Sequence, residues 1–145
     1  MNILLIFVVV IWAFICMAFW EAYIEGRNPW AKASAGWRLT FHKNRLITAY
    51  HFWLWIFIFS LFSLPLIISG WDLKLFGVLF SAMSLGLVVE DFMWYVINPF
   101  YTIRKHWNPE SAYWYPWLKI GKFAVPWSNI LGIALAVLSY VFLWR

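Results

Sequence analysis

The chain has 145 residues; 65% are hydrophobic, 23% are aromatic and only 12% carry a charge. Soluble domains are about half apolar and a quarter charged, and small ones still expose much of their surface, which excludes a water-soluble globule for a chain this apolar. The net charge of +5 does not indicate a nucleic-acid partner, because the cations sit where membrane topology calls for them.

Four apolar runs are long enough, at roughly 1.5 Å per residue, to cross about 30 Å of hydrocarbon as helices. The first covers 3–24 and carries no charge before Glu21. No Lys or Arg precedes it and no small-residue cleavage pattern follows, so it reads as a retained helix rather than a signal peptide. Cys16, the single cysteine, lies within it and has no disulfide partner in the chain. A loop with Arg27, Lys32, Arg38, Lys43 and Arg45 follows. The second run, 46–70, contains His51 and also Pro65, which is expected to bend its far end. The turn Ser69-Gly70-Trp71-Asp72 is so short that the third run, 73–98, must return antiparallel; Glu90 and Asp91 interrupt it. A second long loop holds Arg104, Lys105, Lys119 and Lys122 among Phe100, Tyr101, Trp107, Tyr113, Trp114, Tyr115 and Trp117. Flexible loops are not this aromatic, so this one is expected to lie ordered at the interface, as a cap over the acids. The first loop, with Trp30, Trp37 and Arg38, is expected to do likewise. The fourth run covers 123–144.

None of the runs alternates polar and apolar residues as barrel strands do. The expected fold is an all-α integral membrane protein, a single domain over 1–145 with four transmembrane helices in an antiparallel bundle and no internal repeat. Lys and Arg concentrate in the two long loops, while the short turn holds only Lys74 and the end of the chain only Arg145. Cationic loops stay inside, so both aromatic-rich loops are expected in the cytoplasm and both termini outside, in the plasma membrane of a prokaryote. Most of the 13 Trp, such as Trp20, Trp71 and Trp144, fall near span ends, where rings with one N–H donor anchor well.

Gly77, Ser81, Ser84, Val88, Asp91, Tyr95 and Asn98 follow alternating steps of four and three and share one face of the third helix. Ser128, Gly132, Ala136 and Tyr140 form a similar stripe on the fourth. Small residues let helices approach closely in lipid, so both stripes predict helix packing.

The acids call for a different account, because a charge at mid-bilayer costs roughly 3 kcal/mol on insertion scales. The expected topology brings Glu21 and Glu25, which share a helix face, to the same leaflet as His51, Glu90 and Asp91, with His106 just below. Three readings follow. In the first, Glu21, Glu25, His51, Glu90, Asp91 and His106 bind zinc or iron, as carboxylates and imidazoles on facing helices can. In that reading His51, Glu90 and Asp91 perform acid–base chemistry on a lipid or amphiphilic substrate, and Tyr95, Asn98 and Arg38 hydrogen-bond to them from behind. No Glu-x-x-His, His-x-x-x-His or cysteine pair accompanies this set. In the second, loop cations such as Arg38 and Arg104 neutralise the acids in a non-catalytic membrane subunit or scaffold. In the third, a membrane-embedded carboxylate exchanges protons for a cationic substrate in a small proton-coupled transporter. Membrane lipids, a second copy or a partner membrane subunit are the expected partners.

Overall fold

The computed structural model describes residues 1–27, 29, 36–41, 45–112, 116–121 and 123–145. Trp30, Lys32, Lys43, Tyr113, Trp114, Tyr115 and Lys122 lie outside the described residues. The elements run α1 (Ile3–Glu25), β1 (Arg38–Phe41), β2 (Arg45–Thr48), α2 (Ala49–Ser69), α3 (Leu73–Ile97), α4 (Ile103–His106), β3 (Trp117–Ile120), β4 (Phe123–Pro126) and α5 (Trp127–Ser139), which continues as a π-helical turn over Tyr140–Trp144. The four helices Ile3–Glu25, Ala49–Ser69, Leu73–Ile97 and Trp127–Trp144 are long and apolar enough to cross a membrane, which is compatible with an integral membrane protein.

The helix starts follow from local chemistry. Asn2 Oδ1 accepts from Leu5 N at 3.1 Å, and Asp72 Oδ1 accepts from Lys74 N at 2.8 Å and Leu75 N at 3.2 Å. Each satisfies a backbone donor that the first turn leaves open. Pro65 lies within α2, and the helix continues past it to Ser69.

The all-α expectation needs correcting at two places. Leu46–Thr48 and Phe123–Pro126, which the hydropathy pattern assigns to helix, are strands. β1 pairs antiparallel with β2, Arg38 opposite Thr48, and β3 with β4, Trp117 opposite Pro126. Apolarity alone does not separate a short strand from the first turn of a span. The switch residues decide it: Thr48 is extended and caps α2, and Pro126 disfavours helix at Val125 before it. Gly121, at φ +60°, supplies the left-handed position in the β3–β4 turn.

Both hairpins feed straight into a membrane-length helix through the same backbone bond. Ala49 N donates to Trp37 O at 3.0 Å, and Trp127 N donates to Pro116 O at 2.7 Å. The chain therefore repeats one order of elements, helix, connection, hairpin, helix, although its sequence shows no repeat. His51 and Asn129 are each the third residue of the helix that follows a hairpin, and both are buried.

α3 is the centre of the packing. Phe14 lies against Gly86, Ala22 packs with Trp94 and Tyr95, and Asn98 Nδ2 donates to Gly26 O at 3.0 Å, so α1 and α3 run in the same direction. α5 runs against α3: Ser81 Oγ donates to Ala136 O at 3.0 Å and Ser139 Oγ to Gly77 O at 2.8 Å. A Cβ on Gly77 would come within 2.6 Å of Leu143 Cβ, and one on Gly132 within 2.6 Å of Val88 Cγ2. The small-residue stripes are thus the α3–α5 contact. The π turn brings Trp144 Nε1 to Ser81 Oγ at 2.8 Å and its ring against Phe7. α2 stands further off and meets α1 and α3 through long side chains, with Leu54, Ile58, Phe14 and Met83 at the core.

Candidate functional site

Because α1 and α3 run side by side in one direction, their acids meet. A cavity of about 420 Å³ lies toward the end of the bundle that carries the two long connections, and Glu21, Glu25, His51, Glu90 and Asp91 all line it. Glu90 and Asp91 are neighbours on a helix, separated by roughly 100°, yet both reach it. The remaining wall is apolar or small: Met17, Leu54, Trp55 and Ile58 on one side, Leu131, Gly132 and Leu135 of α5 on the other.

The centre of the site is a carboxyl–carboxyl contact. The Glu21 and Glu90 side chains lie within hydrogen-bonding reach of each other, and Glu90 is only 7% exposed. Tyr50 OH donates to Glu21 Oε1 at 3.1 Å. Neither Glu21 nor Glu90 has a Lys or Arg partner among the described residues. Beside them, His51 Nε2 lies 3.6 Å from Glu25 Oε1. Thr48 sets the histidine ring: its Oγ1 accepts from His51 N at 3.3 Å and lies 2.6 Å from His51 Nδ1. With the oxygen already accepting, the hydroxyl proton is available to Nδ1, an arrangement suited to the tautomer whose Nε2–H faces Glu25. Thr48→Val should therefore cost about 1 kcal/mol as a lost helix cap and loosen the ring; thermal unfolding and the His51 imidazole NMR signals measure the two effects.

Glu21 and Asp91 stand at the same distance from the start of their helices, each the nineteenth residue after its N-cap (21 − 2 and 91 − 72). Met17 and Leu87 do so likewise and both line the cavity. The site thus lies between the two halves of the chain, with Glu21 and His51 from the first and Asp91 and Leu131 from the second.

The remaining predicted residues are not among the side chains that line the cavity. His106 is not among the cavity-lining side chains; its Nδ1 accepts from Thr102 N at 3.0 Å and its ring lies 4.7 Å from Tyr101. Asn98 ties the end of α3 to α1 through Gly26 O and accepts from Phe100 N at 2.9 Å. Tyr95 is buried under the second connection, in a cluster with Ala22, Trp94 and Ala112 flanked by Trp107 and Trp117. Its hydroxyl and Trp94 Nε1 are buried without a hydrogen-bond partner among the described residues. Arg38 is exposed at the start of β1. Of the described residues of the second connection, Pro116 is part of the cavity wall.

Sequence reasoning missed Tyr50, Thr48, Trp55 and Trp94. Only Thr48 left a signal, a capping residue three positions before His51; the others are aromatic residues in an aromatic-rich chain. Among the described residues, no three His, Cys, Asp or Glu side chains are grouped so as to hold a metal ion. Comparisons with family models, with curated proteins and with solved structures find no match for this chain.

Proposed function

We propose that this protein is a small proton-coupled carrier of cations, with the Glu21–Glu90 pair as the group that exchanges protons for substrate. The contact between the two carboxyl groups carries this reading. Two carboxylates so close repel unless a proton or a cation lies between them, and no described Lys or Arg supplies that charge. A cation entering the cavity takes the place of the shared proton. The position of the site between the two halves of the chain, which repeat one order of elements, supports the same reading, since transporters built from repeats bind substrate at the repeat interface. The connection end, with Arg27, Arg38, Arg104, Lys105 and Lys119 against Lys74 and Arg145 at the other, faces the cytoplasm in this proposal.

Zinc or iron is the lesser reading of the same residues, because His106 stands apart and no three-donor group forms among the described residues. A scaffold role has one observation in its favour: Tyr50–Glu21 and His51–Glu25 tie α2 to α1 as structural pairs would.

Proton release separates these readings. The protein in lipid nanodiscs, in weakly buffered solution with a pH dye, is titrated with tetramethylammonium, sodium and potassium. A carrier should release about one proton per chain, the one shared by the pair. A chain that releases none for any of the three cations is not a proton-coupled carrier of this kind.

A further inference from the structure

The acid chamber adjoins a second cavity of different character. A groove of about 280 Å³ lies between α1 and α2; Ala13, Phe14, Cys16 and Phe62 are among its walls, and it shares Met17, Leu54 and Ile58 with the chamber. Along α2 it extends from Leu54 to Phe62, eight residues (62 − 54) or about 12 Å of helix rise. Its position follows from how α2 is held. Tyr50–Glu21 and His51–Glu25 tie α2 to α1 at the connection end, and the Phe14 and Phe62 rings meet again at 6.3 Å further along. Between these ties the helices stand apart. The rim residues Trp20, Phe57 and Leu61 are exposed, so the groove opens sideways from the bundle, where acyl chains would be.

We propose that the ligand is a single-chain amphiphile with one cationic head, its head among the chamber carboxyl groups and its tail in the α1–α2 groove. The inference rests on the cation-binding reading above and adds what the cation carries. An anionic head meets the Glu21–Glu90 pair, and among the described residues no Lys or Arg lines the chamber. A small hydrophilic cation uses the chamber and leaves the groove to lipid. A tail threaded past Met17, Leu54 and Ile58 uses both spaces at once, and the groove has room for one chain rather than two. Lateral entry also removes the need for an aqueous path, because an amphiphile already in the leaflet has its tail at the level of the groove.

Two cations with the same head test the proposal, decyltrimethylammonium and tetramethylammonium, with decyl sulfate as the tail bearing the opposite charge. Proton release is measured in nanodiscs, together with the rate at which N-ethylmaleimide alkylates Cys16, the single cysteine, on the groove wall. The decyl cation should release protons at concentrations about tenfold lower or more, helped by its concentration in the bilayer, and should slow Cys16 alkylation several-fold. Tetramethylammonium should release protons without protecting Cys16, and decyl sulfate should do neither. Partitioning favours the decyl cation in every variant alike, so Ala13→Trp, which fills the groove from its exposed side, should shrink the ratio between the two cations. Proton release by both cations with Cys16 unprotected, an unchanged ratio in Ala13→Trp, or equal protection by decyl sulfate would overturn the tail site and leave the cation site standing. An absence of release by either cation would instead overturn the cation reading itself.

Discussion

Glu90→Gln is expected to abolish cation-coupled proton release and to weaken cation binding roughly ten- to a hundredfold, the loss of one contact to a charged group of about 1.5–3 kcal/mol. The substitution is nearly isosteric, and the glutamine amide can still donate to Glu21, so the α1–α3 contact survives. It removes the site's ability to surrender a proton. In proteoliposomes with an imposed pH gradient, the variant should accumulate no more tetramethylammonium than empty vesicles, while wild type accumulates it against its gradient. Asp72→Asn is the control. Asp72 caps α3 at the opposite end of the bundle, asparagine caps as well as aspartate, and exchange should continue. Proton-coupled uptake by Glu90→Gln at the wild-type rate would show that the pair is structural and would favour the scaffold.

Gly86→Ala should be the most damaging single-methyl change in the protein. A Cβ at this position would overlap the Phe14 ring itself, and Phe14 is in the buried cluster that joins α1, α2 and α3. Overpacking of this kind costs about 1–3 kcal/mol. The ring has little room to move, since Leu54, Ile58 and Met83 surround it. Gly86→Ala should lower the thermal unfolding midpoint of the detergent-solubilised protein, and Phe14→Leu should restore part of the loss when combined with it. A double variant no more stable than Gly86→Ala alone would show that the Phe14–Gly86 contact does not set the α1–α3 distance. The consequence for the site is direct, because the same approach of α1 to α3 brings Glu21 to Glu90.

The small-residue stripes illustrate what periodicity can show. Gly77, Ser81, Ser84 and Gly132 were legible as a packing face because a helix places residues three and four apart on one side, and they form the α3–α5 contact. The same stripe continues through Asp91, Tyr95 and Asn98, and there periodicity no longer suffices. Asp91 lines the cavity, Tyr95 is buried under the second connection, and Asn98 bonds to Gly26. One helix face meets three neighbours in turn, and only the placement of α1, α5 and the connection decides which neighbour receives which residue.

By itself the sequence determined the four membrane-length helices, because the length of an apolar run and the cost of a charge in hydrocarbon are properties of the chain alone. It also determined that Glu21, Glu25, His51, Glu90 and Asp91 would gather at one end, since alternating helices fix the level of every residue. Tertiary structure decided the rest. It turned the starts of two apolar runs into hairpins, where Thr48 and Pro126 outweigh hydropathy. It set His106 aside in a turn of its own, and it put Glu21 against Glu90 rather than against a loop arginine. The physical reason is that hydropathy reports depth in the membrane but not rotation about the helix axis or the distance between helices. Rotation and spacing come from contacts such as Phe14 on Gly86, and they determine which two carboxyl groups share a site.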